Sequence, residues 1–385
     1  MLTCLHNPPL LKLLFAGLLF VGSVLFSGIA YAAPLTVACN VTSLIEAIDA
    51  ANANGVPDVL DLTPGCVYTL YAVHNGTSPD ANGLPIISSD VTINGHGAII
   101  VRDGSAPELR ILKVNNDGIL RIHELTLQNG YAQNGGGIYN AGSLTVAQST
   151  FKSDWASVDG GGIFNLGSAM IVNTTFNDAR ANGFVGYGGG IANTISGTVV
   201  LSNSTFAVGS ARYGGGVSNR GGMVSIASST FTGNVVRRGG GGVLNDNGTM
   251  SILNATFSAN KGKSGGASVG SVNGTLTLQN TIVANSISGN GCYGTIVDQG
   301  GNLHWSSWDT MCLGIDGDPR LGALANNGGW TQTMALLPGS QAIDAGVNAN
   351  CPATDQRGVN RPIGVRCDVG AYESSIYLFL PLIAR

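Results

Sequence analysis

The sequence predicts an all-β fold, a parallel β-helix solenoid with about 25–26 residues per coil and a short N-terminal capping helix. Glycine-rich units begin at Gly135, Gly160, Gly188, Gly214, Gly240 and Gly265, in steps of 25, 28, 26, 26 and 25 residues. Between the units, segments such as "SLTVAQSTF" alternate apolar and polar residues, which indicates strands. A period of this length indicates a solenoid, because the blade of a propeller needs about 40–45 residues.

Phenylalanine and asparagine recur at fixed places within these units. Coils of a β-helix stack about 4.8 Å apart, so equivalent residues lie above one another. We expect the phenylalanines to stack inside the core and the asparagines to form a hydrogen-bonded ladder, because an amide both donates and accepts. The phenylalanines are Phe151, Phe176, Phe206, Phe231 and Phe257, and the asparagines are Asn140, Asn165, Asn193, Asn219 and Asn245. At Gly265 the unit reads "GGASVG", so Gly270 is expected in place of the next asparagine.

The two ends of the chain differ from the repeats. Residues 1–32 combine Lys12, an apolar run and "AYA" before the expected cleavage site, which is typical of a secretory signal; an uncleaved membrane anchor is the alternative. Residues 33–310 are then expected to form the β-helix, in which "TSLIEAIDAANANG" supplies the capping helix with Ser43 and Glu46 as a capping box. Residues 311–374 form a separate C-terminal region packed on the β-helix, and residues 375–385 an apolar tail too short to span a bilayer.

Six cysteines remain after the signal segment, and none lies in the repeats. An even number in an exported chain favours disulfide bonds, whereas the absence of CxxC argues against a metal site. The six allow 15 pairings. Because they form three sequential couples, we expect Cys39–Cys66, Cys292–Cys312 and Cys351–Cys367.

Several segments resemble known families. The "GGGI…F" units, with "FTGN" at Phe231 and "FSAN" at Phe257, resemble the repeats of polymorphic outer-membrane proteins, which are pectate-lyase-like β-helices. The segment from Asp318 to Ser374 closely resembles the choice-of-anchor Q domain of bacterial exported proteins, as does "CNVTSLIEAIDAAN" near the start. The resemblance implies a right-handed β-helix that is secreted or on the cell surface, with an unidentified anchor and no defined biochemical activity.

Basic residues concentrate in the repeats. Residues 135–290 contain eight Lys and Arg against four Asp, although the chain as a whole carries a net charge of -4, which does not suggest nucleic acid as a partner. Counting back from each glycine unit places Arg212, Arg238 and Lys263 in one column, beside Tyr187 and Tyr213. Stacked cations repel one another, so this column indicates a stripe that binds an acidic polysaccharide or cell-envelope polymer. Ordinary solubilising charge is the alternative.

Catalysis is the third class of function that the sequence leaves open. Polysaccharide hydrolases need paired carboxylates, and lyases need acidic clusters for Ca²⁺ with a basic residue. Asp154, Asp159 and Asp178 fall in one turn region, so they form either a weak Ca²⁺ site or a solvated edge. "NGHG" at Asn94 is similar to the Gly-His-Gly of polygalacturonases but lacks the accompanying aspartates. We therefore expect a structural, adhesive or glycan-contacting protein without cofactor, with a polysaccharide lyase or hydrolase as the alternative.

Overall fold

The computed structural model describes residues 34–263, 265–306 and 311–375, which form an all-β parallel solenoid of about ten coils. The predicted signal segment 1–32, and the predicted tail 375–385 apart from Ser375, lie outside the described residues. No helix in the described part of the chain is long and apolar enough to cross a bilayer.

Four parallel sheets run along the solenoid in the described ranges. Sheet 1 contains Leu35–Val37, Asp58–Leu62, Asp90–Asn94, Ile119–His123, Ser143–Ala147, Ser168–Val172, Thr198–Ser202, Met223–Ala227, Thr249–Leu253, Thr275–Gln279 and Val297–Asp298. Sheet 2 contains Val67–Leu70, Ile99–Arg102, Thr126–Gln128, Thr150–Lys152, Thr175–Asn177, Thr205–Ala207, Thr230–Thr232, Thr256–Ser258, Ile282–Ala284, Leu303–Trp305 and Ile315–Asp316. Sheet 3 contains Tyr131–Asn134, Trp155–Asp159, Arg180–Ala181, Ser210–Ala211, Val235–Val236 and Lys261–Gly262. Sheet 4 contains Leu112–Val114, Ile138–Asn140, Ile163–Asn165, Ile191–Asn193, Val217–Arg220, Val243–Asp246, Val269–Val272 and Cys292–Tyr293.

The repeated residues form the predicted columns. The five phenylalanine rings stack inside sheet 2 with centroids 4.5–4.8 Å apart. The asparagine side chains are buried, and each Nδ2 donates to the Oδ1 of the next asparagine at 2.7–2.9 Å. The Oδ1 of Asn140 has no partner, because Asn140 is the first member of the column and Val114 lies opposite it. The ladder expectation is therefore confirmed.

The glycines of each unit have two separate roles. Gly160 has a φ of 69°, in the left-handed region that other residues adopt only with strain, so it turns the chain from sheet 3 into sheet 4. Gly162 makes room for the phenylalanine column, since a Cβ there would lie 2.9 Å from Cδ1 of Phe176. The same two positions are glycine in the units that start at Gly135, Gly188, Gly214 and Gly240.

The last repeat is displaced by one residue from its expected place. Val243 pairs with Val269, so the unit begins at Gly266 rather than Gly265. Ser271, and not Gly270, therefore follows Asn245 in the asparagine column. The expectation for Gly270 is wrong because Gly265 corresponds to Gly239, the residue before the turn glycine Gly240, so a count from Gly265 begins one residue too early.

The single helix of the described residues, Val41–Asn54, lies before the coils and packs Leu44, Ala47 and Ile48 into the core. Its N-terminal cap is Asn40, whose Oδ1 accepts a hydrogen bond from the N–H of Ser43 at 2.8 Å. The predicted capping box is wrong: the helix starts at Val41, so Ser43 lies within its first turn and donates to the cap.

The C-terminal region contains an antiparallel hairpin, Leu321–Ala325 with Thr333–Leu336, and contacts the outer face of sheet 2. Gln356 is buried between the two, where its Oε1 accepts from Oγ1 of Thr230 at 2.6 Å and its Nε2 donates to Oγ1 of Thr205 at 2.8 Å. The disulfide bonds join Cys39 to Cys66, Cys292 to Cys312 and Cys351 to Cys367, which are the expected pairs. Three disulfides are typical of a protein from an oxidising, extracellular environment.

Candidate functional site

The turn between sheets 3 and 4 contains a column of residues that precede the positive-φ glycines. From coil to coil, its members are Asn134, Asp159, Tyr187, Tyr213, Gly239 and Gly265. The Tyr187 and Tyr213 rings stack with centroids 4.8 Å apart and 19° between their planes, and their backbones form a parallel bridge. The next two members have no side chain, so the tyrosine column stops at an open space.

This open space is a cavity of about 450 Å³, which we call the tyrosine cleft. Tyr213 forms one end and Tyr293 the other, since a Cβ on Gly265 would lie 3.6 Å from Cδ1 of Tyr293. The buried side chain of Leu244 contributes to the apolar lining, together with Val272. The remaining lining is polar and consists mainly of Arg238 and Asp246. The cleft thus combines two aromatic ends, an apolar wall and one charge of each sign.

The charges of Arg220 and Asp159 hold the tyrosine column in place. The guanidinium of Arg220 lies 4.5 Å from the centroid of the Tyr187 ring and donates to Oδ2 of Asp159 at 3.0 Å. Oδ1 of Asp159 accepts from the N–H of Tyr187 at 2.9 Å. Burial raises the pKa of Asp159, although the Tyr187 N–H and Arg220 oppose that shift. Burial, with the charge of Asp246, also raises the pKa of Tyr187, so its phenol is neutral at physiological pH.

The charged groups at the cleft have few competing partners. Arg238 is exposed, and its guanidinium has no hydrogen bond or ion pair within the described part of the chain. Asp246 is half-buried and accepts a hydrogen bond from Nδ2 of its neighbour Asn247 at 2.7 Å. A guanidinium without a partner and a carboxylate with unused acceptor positions are available to a bound molecule.

The structure brings Tyr187, Tyr213 and Arg238 together but does not form the expected column of three cations. The side chain of Arg212 is directed to the preceding coil, where it donates to the carbonyl of Phe184 at 2.5 Å and lies 4.7 Å from that ring. Lys263 is in register with Arg237, because Val235 and Val236 pair with Lys261 and Gly262. The one-residue displacement at Gly266 is the reason that Lys263 was assigned to the wrong column.

The three aspartates of the predicted acidic group do not converge. Oδ1 of Asp154 accepts from the N–H of Gly130 at 2.8 Å, and Asp178 pairs with Arg180 at 2.7 Å. The expected solvated edge is wrong for Asp154 and Asp159, which are 0% and 6% exposed. Within the described residues, no group of three or more His, Cys, Asp or Glu could hold a metal ion.

Sequence reasoning missed Leu244, Asp246, Val272 and Tyr293 as cleft residues. The signal that could have found the cleft is the loss of tyrosine in the column, where Gly239 and Gly265 follow Tyr187 and Tyr213. Tyr293 gave no such signal, because Cys292 follows Val269 by 23 residues and falls outside the regular period.

Among its described lining residues, the tyrosine cleft does not contain the pair of carboxylates that glycoside hydrolysis uses. Hydrolysis by paired carboxylates requires two carboxyl groups about 5–9.5 Å apart, and Asp246 is the one carboxylate among the described residues that line the cleft. His96 lies in an early coil, in a turn where its Nε2 is 3.3 Å from Oδ1 of Asp61.

Comparisons of the chain with protein-family models, curated proteins and solved structures gave no match.

Proposed function

We propose that this chain is a secreted or cell-surface β-helix protein that binds an acidic glycan in the tyrosine cleft, with a structural or adhesive role. The observation that carries the proposal is the end of the tyrosine column at Tyr213, with Tyr293 across the resulting space. Arg238, which has no partner among the described residues, lies beside that space. An open apolar cavity between aromatic side chains does not stabilise the fold, so its presence favours a role in binding.

The shape of the cleft supports a sugar ring as the bound group. A volume of about 450 Å³ lies within the range of about 300–1,000 Å³ that is usual for small-molecule sites. One face of a pyranose ring presents C–H groups, which pack on the faces of tyrosine rings, while the edges present hydroxyls. Asp246 can accept hydrogen bonds from such hydroxyls, and the tyrosine phenols can donate or accept.

The charge around the cleft supports an acidic sugar. Residues 135–290 carry an excess of four positive charges, and Arg238 is available at the cleft itself. A guanidinium binds a carboxylate through two parallel hydrogen bonds, which gives both affinity and orientation. The surrounding Arg237, Lys261 and Lys263 are exposed and would attract a polyanion at low salt.

Export and surface location are supported by the chemistry of the chain. Three disulfide bonds join the six cysteines that follow residue 32. The resemblance to polymorphic outer-membrane repeats and to the choice-of-anchor Q domain favours the cell surface. The ladders of buried asparagine and phenylalanine also suit a rigid extracellular protein, because the five coils that carry them are tied to one another.

The experiment is calorimetric titration of the secreted protein with oligogalacturonates at low and high salt. We expect binding that weakens with salt, and a loss of about tenfold or more in Arg238→Ser, which corresponds to about 1.4 kcal/mol. Arg237→Ser is the matched control, because it removes the same charge from the neighbouring position, outside the cleft.

Equal losses in the two variants would show that only the general field of the surface acts, and would contradict a site in the cleft. Tyr213→Ala tests the aromatic contact, with the exposed Tyr71→Ala as its control. Salt-insensitive affinity that is unchanged in Arg238→Ser would also remove the proposal.

A further inference from the structure

The turn that joins sheet 3 to sheet 4 contains an insertion in one coil. It spans residues 182–187, whereas the equivalent turn of the next coil spans residues 212–213. A β-turn over residues 183–186 forms most of the insertion and is closed by a backbone hydrogen bond of 3.1 Å between its ends. Phe184 and Val185 are the two central residues of this β-turn, which we call the Phe184 tip.

The local fold does not require apolar residues in the Phe184 tip. The central positions of exposed turns favour Gly, Pro, Asn, Asp and Ser. Phe184 is nevertheless 85% exposed and Val185 53% exposed. The base of the tip lies against the preceding coil, where a Cβ on Gly183 would lie 2.4 Å from the carbonyl oxygen of Ser157. Two neighbouring apolar side chains that a seated turn holds in solvent indicate a contact surface.

A row of cations begins beside the tip. Arg212 donates a hydrogen bond to the carbonyl of Phe184 at 2.5 Å, and its guanidinium lies 4.7 Å from the centroid of that ring. Arg237 and Lys263 occupy the equivalent position in the next two coils, because the residues before them pair from coil to coil in sheet 3. We call Arg212, Arg237 and Lys263 the basic row. It differs from the column expected from the sequence in one member, since Arg237 takes the place of Arg238.

The charge of the basic row is not compensated within the described part of the chain. Its members lie one coil apart, at steps of about 4.8 Å, and like charges at this spacing repel one another. Within residues 34–263, 265–306 and 311–375, no ion pair involves any of the three. Lys261 is exposed on the same face and adds a further cation. The fold gains no stability from this arrangement, so the row indicates an anionic partner.

We propose that the basic row and the Phe184 tip dock this protein on a membrane that contains anionic lipids. The apolar tip enters the boundary between headgroups and acyl chains, while the neighbouring cations bind lipid phosphates. A soluble polyanion would account for the row but not for the tip, because it offers no apolar phase to Phe184 and Val185. The proposal is independent of the tyrosine cleft, since neither the tip nor the row lines that cavity.

The two parts of the surface have different effects on binding. Two apolar side chains give only weak attachment, because affinity for the interface grows with the apolar area that is buried. The cations supply attraction to anionic lipids, which salt screens. Binding must therefore require anionic lipid, decrease as salt increases and depend on Phe184.

The test is co-sedimentation of the full secreted protein with vesicles of phosphatidylcholine alone, or of equal parts phosphatidylcholine and phosphatidylglycerol. We expect binding to the mixed vesicles only. Phe184→Ala must weaken this binding about fivefold or more, because it removes the largest apolar group of the tip. Ile195→Ala is the matched control and must leave binding unchanged, since Ile195 is 81% exposed in the turn between sheets 4 and 1.

The contribution of the basic row is measured in the double variant Arg237→Ser/Lys263→Ser. We expect it to bind the mixed vesicles about tenfold or more weakly. Its matched control is Lys152→Ser/Arg366→Ser, which removes one exposed Lys and one exposed Arg from outside this turn. All of these variants must keep the unfolding temperature of the unmodified protein, because the substituted side chains are exposed.

A fluorophore that is sensitive to polarity reports whether the tip enters the lipid. Attached to Phe184→Cys, its emission must shift to shorter wavelength with mixed vesicles, whereas no shift is expected at Ile195→Cys. The proposal is wrong if this shift is absent or if Phe184→Ala binds the mixed vesicles like the unmodified protein. It is also wrong if Arg237→Ser/Lys263→Ser loses binding to soluble oligogalacturonate but keeps vesicle binding, which would assign the row to a glycan.

Discussion

At the residue scale, Asp154 occupies a position that two later coils give to asparagine. It follows Phe151 by three residues, as Asn234 follows Phe231 and Asn260 follows Phe257. Nδ2 of each of these asparagines donates at 3.0 Å to the carbonyl of the phenylalanine one coil earlier. Leu127 pairs with Phe151, so its carbonyl is the equivalent acceptor for Asp154.

A carboxylate cannot donate to that carbonyl, whereas a carboxylic acid can. Asp154 is completely buried, and its Oδ2 has no partner in the described chain. Burial raises the pKa of Asp154 well above its usual value, although the N–H groups of Gly130 and Lys152 oppose the shift. The folded state therefore favours the protonated form of the Asp154 carboxyl group.

Because the folded state retains this proton when the unfolded chain has lost it, stability falls as pH rises. The contribution of Asp154 is complete below its ordinary pKa of 3.8 and is lost between 3.8 and the raised folded value. We expect Asp154→Asn to raise the free energy of unfolding at pH 7 by about 1–3 kcal/mol and to flatten its pH dependence. Denaturant melts at acidic and neutral pH measure both effects.

Asp178→Asn is the control for this prediction, since Asp178 is less buried and pairs with Arg180. It must not stabilise the protein at neutral pH. A decrease in stability of Asp154→Asn at neutral pH would show that the carboxylate is ionised in the fold.

At the element scale, the asparagine column ties sheet 4 to the start of sheet 1. Nδ2 of Asn219 donates to Oδ1 of Asn245 at 2.8 Å and to the carbonyl of Gly222 at 2.9 Å, while its own Oδ1 accepts from Asn193. Each amide therefore satisfies its neighbours and the turn that follows it. Such a chain of buried hydrogen bonds is costly to interrupt, because a removed member leaves unpaired groups on both sides.

We expect Asn219→Ala to lower the free energy of unfolding by about 2–4 kcal/mol, since it leaves buried partners on two adjacent coils without hydrogen bonds. Urea denaturation followed by circular dichroism measures the loss. The exposed Asn182→Ala, in a turn of the same flank, must change stability by less than about 0.5 kcal/mol. If the two substitutions lowered the free energy of unfolding equally, the asparagine column would not stabilise the fold as we expect.

Register was predictable wherever the repeat is regular. The columns of Asn165 and Phe176 followed from the sequence because period and chemical type recur together. The register of Lys263 did not, because the four glycines at 239–242 are replaced one coil later by Gly, Gly, Ala and Ser at 265–268, so a count from the first glycine of each unit begins at different positions. The capping residue Asn40 was missed for a similar reason, since "NVTS" offers more than one capping side chain within four residues.

At the scale of the whole molecule, the C-terminal region covers part of sheet 2. The Thr205, Thr230 and Thr256 hydroxyls of that sheet all bond to it, the last by accepting from the N–H of Ala371 at 2.9 Å. Gln356 forms the centre of this contact and is 1% exposed. The attachment therefore depends on buried polar groups that are satisfied only when both parts are in place.

We expect Gln356→Ala to destabilise this contact by about 1–3 kcal/mol and to make residues 311–375 cleavable by protease before the coils. Limited proteolysis with mass spectrometry identifies the order of cleavage. Gln299→Ala, which alters an exposed glutamine, must leave the order and rate unchanged. If residues 311–375 and the coils were cleaved at the same time in Gln356→Ala, the substitution would not act on this contact alone.

The solenoid could be predicted from the sequence. Stacked coils require the same type of residue at equivalent positions, so these residues recur in the sequence at a fixed period. The cleft was not predictable in the same way, since it arises from missing side chains at Gly239 and Gly265 and from Tyr293, which lies beyond the regular repeats. The orientation of Arg212 towards Phe184 also depends on a turn that is longer in one coil than in the others. Side-chain direction in such turns is set by packing rather than by the repeat.

The most direct measurement is a crystal structure of the protein soaked with a galacturonate oligomer at a concentration that saturates binding in solution. We expect a sugar ring between Tyr213 and Tyr293, with its carboxylate against Arg238 and its hydroxyls near Asp246. An empty cleft, or a sugar bound only elsewhere on the solenoid, would contradict the assignment of the tyrosine cleft as a glycan site.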